Sequence, residues 1–303
     1  MPALFVENPT RPALEVADIV RAHGATYRQQ YPVSYEQSQA LRDIAECRTA
    51  IMGGHVDSCT HCDQVRVAYN SCRNRHCPKC GATVRAEWVE KQRAHLLPVH
   101  YFHVVFTIDH RLLPLVRANQ QLLYSLLMRC AGRTLVELGK RYLHGEVGVV
   151  ALLHTWGQQL TEHPHVHCLV TGGALVDNGR RWRETRPDFL FPIEAISHHF
   201  RERFCLGLER LHKKETLTFA GQSLEWADPL FFKQQMASMR QQPWQVYAKP
   251  PFGDAEQVVA YLGRYTQRIA LSTHRLLALE EGFVRFRYRD YRQDGVQKVL
   301  QLT

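Results

Sequence analysis

No export signal is expected from this sequence. Its opening, MPALFVENPTRPALE, contains no basic segment followed by an apolar core. No apolar run approaches the ~20 residues that cross a bilayer, so no spanning helix is expected. Internal repeats and low-complexity runs are also missing, which excludes solenoid and tail-like architectures. Acidic residues are in short supply: 29 Asp and Glu face 38 Lys and Arg, for a net charge of +9 and an isoelectric point near 9.2. That excess favours a polyanionic partner, because each phosphate contacted releases counterions. Arginines cluster at Arg180–Arg186 and Arg285–Arg292, which points towards nucleic acid.

The 303 residues suffice for one large domain or two modest ones. Nine cysteines, with no export leader expected, do not read as a disulfide framework. The expected setting is the reducing cytoplasm, nucleoid-associated when on DNA, where clustered cysteine means metal. The cluster is HVDSCTHCDQVRVAYNSCRNRHCPKCG, with Cys59-x2-Cys62 followed after fourteen residues by Cys77-x2-Cys80. Each such turn aims two thiolates at one point, so the two together predict a tetrahedral Zn²⁺ site. Four closed ligands make that ion structural. Val65, Val67 and Tyr69 alternate between the knuckles as in a zinc-ribbon-like hairpin. Cys72, His61 and His76 are spare ligands, so one of the four could be exchanged. Arg66, Arg73, Arg75 and Lys79 surround the site.

Around this cluster the sequence predicts helices and strands in mixed order, an α+β chain. A short helix is expected at Leu14–His23. Ser34 with Gln37 forms a capping box for a helix to about Cys47, burying Leu41, Ile44 and Ala45. Ala82–Leu97 reads as a helix, and Tyr101–Ile108 as a central strand bounded by Pro98 and a turn. A long helical pattern covers Pro114–Leu143, with Leu122, Leu123, Leu126, Leu127 and Cys130 on one face. Val147–Thr155 is the next strand, pairing as an antiparallel hairpin with the one after it. Arg180–Leu190 reads as a basic connection, Ile193–Lys214 as an amphipathic helix, and Pro229–Arg240 as another. Trp244–Ala248 is a strand. Asp254 then caps a helix, and Phe283–Tyr291 and Gln297–Leu302 are strands around an Asp294-Gly295 turn.

The strand after Val147–Thr155 holds the chemistry. In TWGQQLTEHPHVHCLVTGGAL, His165 and His167 sit two apart, so both imidazoles project from one face of a strand. Val166, Cys168 and Val170 point the other way, into a core. Two imidazoles on a rigid strand hold a divalent metal once a third ligand arrives; taken alone, they are equally a half-exposed histidine pair. Gln158, across the hairpin, is one third ligand and His163 another. A mixed nitrogen and oxygen site with open positions suits Mg²⁺ or Mn²⁺ on a phosphate. In the helix DAEQVVAYLGRYTQRIALS, Tyr261 and Tyr265 lie one turn apart, with Arg264 and Arg268 beside them to pair with phosphates. Such tyrosines are either an aromatic pair packed on the sheet or nucleophiles towards a phosphodiester.

The segment ending in SCRNRHCPKCG resembles the zinc module of the IS91 family of rolling-circle transposases. HPHVHCLVTGG is similar to that family's HUH (His, hydrophobe, His) metal strand, YLGRYTQRIALS to its tyrosine helix, and FRYRDYR to the strand that follows. The matches keep the family's order across Cys59–Arg292. The resemblance implies an HUH-endonuclease-like antiparallel sheet flanked by helices, covering 98–303, behind a helical and zinc-binding DNA-recognition module at 1–97. It implies a single-strand DNA endonuclease and strand transferase acting on transposon ends and target. His165 and His167 would be ligands to Mg²⁺ or Mn²⁺, and Tyr261 and Tyr265 would form 5′-phosphotyrosine links. Gln158 as third ligand follows from the hairpin and from HUH enzymes with Glu or Gln near this spacing. Arg73, Arg75, Lys79, Arg264 and Arg268 would contact DNA. Family members continue past this point, so a truncated chain or a short member is expected.

Two other readings use the same residues. His163-Pro164-His165-Val166-His167 also fits a histidine-triad nucleotide hydrolase, in which a histidine attacks phosphate without metal. Pro164 stands where that motif has an apolar residue, and the fold has no use for zinc knuckles or a tyrosine helix. The other reading is a non-catalytic, zinc-dependent DNA-binding protein with a decayed histidine site, against which the intact HxH and YxxxY argue.

Overall fold

Ser34 starts a helix as its capping box predicts: its Oγ accepts from the Gln37 N–H at 3.3 Å, and its own N–H donates to Gln37 Oε1 at 2.8 Å. The computed structural model describes residues 14–62, 64–249, 255–263, 269–280, 282–290, 293 and 295–303. In chain order the elements begin with α1 (Val16–Gln30), α2 (Tyr35–Glu46), β1 (Gly54–Ser58), β2 (Val65–Tyr69), α3 (Pro78–Arg93) and β3 (Tyr101–Thr107). Then come α4 (Leu113–Ala118), α5 (Gln120–Leu138), β4 (Val149–Trp156), β5 (Glu162–Thr171), β6 (Gly173–Val176) and β7 (Arg181–Glu184). The remainder is α6 (Ile193–Lys213), α7 (Pro229–Gln241), β8 (Val246–Lys249), α8 (Ala255–Leu262), β9 (Leu276–Glu280), β10 (Phe283–Asp290) and β11 (Val296–Leu302). This is an α+β chain whose sheets pair antiparallel.

The chain divides into two compact units. One comprises Met1–Ala86, Gly157–Thr161 and Gln267–Thr303; the other comprises Glu87–Trp156 and Glu162–Thr266. In the first, α1 and α2 bury Ala17 and Ile44 with Cys47, Cys77 and Cys80. Arg21 ties the pair by donating from Nε and Nη2 to the Ala45 carbonyl at 3.0 and 2.7 Å. The two-stranded ribbon β1–β2 is exposed along nearly its whole length. β9, β10 and β11 form a meander in which Phe286 is buried beneath the Arg275 guanidinium.

The second unit is built on a four-stranded sheet in the order β4-β5-β3-β8. Pairing of Val166 with Phe106, Cys168 with Val104 and Val170 with Phe102 sets one face of it. That face is dry and joins Leu123, Leu127 and Leu135 of α5 and Phe200, Phe204 and Leu208 of α6 in the main core. The opposite face carries His165, His167 and Leu169, with the β3 residues His103 and Tyr101 and the β4 residues Leu152 and Val150. Strand alternation alone divides the residues this way.

Three expectations are corrected. The helical pattern over 114–143 is broken at Asn119, whose Nδ2 donates to the Leu115 and Thr218 carbonyls at 3.0 and 2.7 Å. Its Oδ1 accepts from the Thr218 N–H at 2.7 Å. An asparagine engaged with a distant backbone leaves the helical conformation, here at φ −135°. The connection expected over 180–190 contains β7, which pairs with β6 and packs Trp182 over Gly173, where an added Cβ would meet the ring at 2.5 Å. β9 was not expected at all. The Asp254 cap, Asp294 of the last turn, Arg264, Tyr265 and Arg268 lie outside the described residues.

Candidate metal centres

The histidines converge because β4 and β5 pair in a register that sets His154 opposite His165. Nδ1 of His154 is 3.2 Å from Nε2 of His165. His154, His165 and His167 each present a ring nitrogen, and all three atoms lie within 4.8 Å of one another. Two nitrogens bound at ~2.1 Å to one ion would stand about 3 Å apart, so the group fits a metal. Nδ1 of His165 lies 2.6 Å from the His163 carbonyl oxygen. A carbonyl only accepts, so this Nδ1 carries the proton and Nε2 carries the lone pair. His103 supports the group from β3: its Nε2 is 2.9 Å from Nδ1 of His167, with the rings stacked at 5.1 Å.

Burial holds these rings neutral. It pushes His103 and His154 down to about 4, His165 to about 3 and His167 to about 2, and it also lowers His163. Neighbouring imidazoles deepen the depression of His165 and His167. Neutral imidazole is the form that ligates metal.

The sequence expectation named His165 and His167, which the structure brings together with His154, and also Gln158. Gln158 lies in the turn 157–161, with its backbone carbonyl accepting from Arg275. The β4–β5 ladder carries a register shift between His154 and Trp156 and continues to Trp156 opposite Glu162, and the third imidazole of the group is His154. His163 lends its carbonyl. The signal for His154 was present in the sequence: an imidazole near the end of the preceding strand, eleven residues before His165, is the natural cross-strand partner of a hairpin.

α8 packs on the histidine face. Its Val259 is buried in a small cluster with Leu169 of β5, Tyr101 of β3 and Val89 of α3. Tyr261 lies on α8, two residues beyond Val259.

The second cluster gathers Cys47, Cys72, Cys77 and Cys80, with sulfurs within 4.8 Å of one another. Cys47 to Cys80 is 3.5 Å and Cys72 to Cys80 is 3.6 Å. Sulfurs at ~2.3 Å around a tetrahedral Zn²⁺ stand about 3.8 Å apart, which these distances match. Burial pushes the Cys77 thiol up to about 11 and raises Cys72. Burial opposes ionisation of Cys80 as well, but hydrogen bonds from Cys47, Cys72, the Arg73 backbone and Cys77 outweigh it and lower the thiol. One metal ion would ionise all four.

The expected quartet is therefore corrected in half its members. Cys77 and Cys80 are in it, while Cys59 and Cys62 stand exposed at the end of the β1–β2 ribbon. Cys47, at the end of α2, and the spare Cys72 take their places. Ser58 pairs with Val65, so Cys59 and Cys62 fall beyond the last paired residues of the ribbon. Lys79 is engaged internally, in a nearly buried ion pair with Glu15 at 2.7 Å and a bond to the Cys47 carbonyl at 3.2 Å. Arg73 and Arg75 are exposed.

Comparison with known proteins agrees with a zinc site in the cysteine region. Residues 148–303 match a family model described as "Putative transposase", and residues 19–108 match a "Transposase zinc-binding domain" of IS91 type. The chain is 43% identical over 292 residues to "Putative transposase y4qJ" of Sinorhizobium fredii, covering 95% of this chain and 73% of that one. It is 29% identical over 268 residues to the transposase for insertion sequence element IS801 of Pseudomonas savastanoi pv. phaseolicola, covering 86% of this chain and 62% of that protein. No solved structure matches it. No described helix is long and apolar enough to cross a membrane. From the order of its zinc-binding and transposase segments and its identity to these relatives, the chain belongs to the IS91 family of transposases.

Proposed function

We propose that the chain nicks single-stranded DNA at transposon ends and transfers the strand through a 5′-phosphotyrosine link. The observation that carries this reading is the packing of α8, the helix of Tyr261, on the sheet face that bears His154, His165 and His167. His165 would offer Nε2 and His154 Nδ1 to Mn²⁺ or Mg²⁺, with His167 as the third donor. The metal, when bound, neutralises and orients the scissile phosphate. Imidazole nitrogens suit a transition ion better than Mg²⁺, which favours oxygen; this favours Mn²⁺.

The covalent step belongs to tyrosine. The phenolic oxygen of Tyr261 or Tyr265 loses its proton and bonds to phosphorus; the bond from phosphorus to the 3′ oxygen breaks, and that oxygen leaves as a hydroxyl after taking up a proton. Phosphotyrosine keeps the bond energy for rejoining. Exposed Arg73 and Arg75, with Arg264 and Arg268, would bind the DNA backbone, and the Zn²⁺ quartet would hold the module that presents the first two.

The experiment is a denaturing gel of the protein mixed with labelled single-stranded DNA carrying an element end and Mn²⁺. The expected result is an SDS-resistant adduct that is lost with EDTA and in Tyr261→Phe/Tyr265→Phe. Binding without any adduct on the correct end would refute the nicking reading and leave a DNA-binding protein.

A further inference from the structure

Cys59 and Cys62 stand outside the buried quartet, yet their turn is built to hold thiolates. The Cys59 N–H donates to the Gln64 carbonyl at 2.9 Å and closes the turn. The Cys59 sulfur accepts from the backbone N–H groups of His61 and Cys62 and lies beside the Cys62 side chain. The same device recurs in the quartet, where the Cys77 sulfur accepts from the Cys80 N–H. Backbone donors aimed at sulfur stabilise its charged form, which is the form that binds metal.

The pair offers two sulfurs where a tetrahedral ion needs four donors. Among the described residues, no third His, Cys, Asp or Glu converges on it. The ribbon behind it also has an unmatched side. The register places Val56 beside Val67 and Ser58 beside Val65 on one face, together with Tyr69 opposite Gly54. Val56, Val65 and Val67 are 62%, 64% and 54% exposed, and Tyr69 is 46% exposed. A second ribbon of the same kind would supply both missing parts, two sulfurs at the tip and an apolar strip along the side.

We propose that Cys59 and Cys62 hold a soft divalent cation such as Zn²⁺ jointly with the same two cysteines of a second copy of the chain. Binding converts four thiols to thiolates and releases their four protons to solvent, so affinity rises with pH. The quartet keeps its own ion. Neither site depends on the DNA chemistry proposed above.

The test compares the full chain with Cys59→Ser/Cys62→Ser after loading with Zn²⁺ and removal of excess ion. Metal per chain is measured by elemental analysis and mass by sedimentation. Ions at other sites cancel in the difference. The expected result is a dimer that loses about half an ion per chain on substitution and becomes a monomer. Unchanged zinc content overturns the proposal. So does a monomer that loses about one whole ion per chain, which would mean that the pair is completed within its own chain. A second measurement needs no variant: Co²⁺ titration of the wild type, followed by sulfur-to-cobalt absorption. A shared ion gives a second step whose amplitude grows with protein concentration; a step independent of concentration overturns sharing.

Discussion

His154 and His165 face each other across two strands, with Nδ1 of one 3.2 Å from Nε2 of the other. The relationship makes His154 a third ligand that can be tested against Gln158. His154→Ala should reduce Mn²⁺-dependent adduct formation by more than about 100-fold, since losing a direct donor costs more than losing its support. Gln158→Ala should stay within about twofold of wild type. The measurement is adduct yield against Mn²⁺ concentration, and the reverse ranking would restore Gln158 to the site.

His103 touches His167 and not the reacting atoms. Its hydrogen bond at 2.9 Å orients the ring and fixes its tautomer. His103→Phe should weaken Mn²⁺ binding by about 10–100-fold while leaving the melting temperature of the metal-free protein nearly unchanged. Calorimetric titration with Mn²⁺ reads the effect. Equal loss of stability and affinity would make His103 a packing residue only.

The depressed histidines predict the direction of acid sensitivity. Unfolded, they titrate near 6.5; folded, burial lowers His103 and His154 to about 4, His165 to about 3 and His167 to about 2. Below 6.5 the unfolded chain binds more protons than the folded one, so stability falls as pH drops. The contribution is complete above that value and is lost progressively from about pH 6.5 towards pH 2. Thermal melts of metal-free protein from about pH 7.5 down to about pH 5 should show a falling midpoint. His103→Phe should flatten the slope.

Leu169 buries itself beneath α8. Truncation to Ala should cost about 2–5 kcal/mol of stability if the cavity does not collapse. Because the residue shares the histidine face without ligating anything, adduct yield should fall further than Mn²⁺ affinity. Measuring both on one preparation distinguishes a misplaced helix from a damaged metal site.

Cys47→Ser or Cys72→Ser should release the structural zinc and unfold the α1–α2 segment, whereas Cys59→Ser should not. Chelator-induced loss of helical circular dichroism, measured for each variant, checks the quartet. Loss of structure on replacing Cys59 and no effect from Cys47 would return the site to the pairing suggested by sequence spacing.

Periodicity made the α+β class, the histidine strand and its two faces legible before any coordinates. His165 and His167 follow from alternation, and Ser34 from capping chemistry. What escaped depended on partners distant in the chain. Cys47 joins Cys80 across 33 residues, so no local spacing announces it. Asn119 breaks a helix through Thr218, 99 residues away. His154 was within reach of a register argument, but the length of the turn decides which residue lies opposite His165, and turn length is poorly marked in TWGQQLTE. β6 and β7 are short, and an arginine-rich surface strand resembles a loop.

The alternation of β5 makes the chemistry and the fold one decision. Shift that strand by a single residue and His165 and His167 enter the dry core while Val166, Cys168 and Val170 turn outward. Both changes are strongly unfavourable, so a mispaired sheet cannot persist beside the native one with a partial site. The molecule thereby proofreads itself: a chain that has folded at all has folded with its imidazoles on the side where α8 lies.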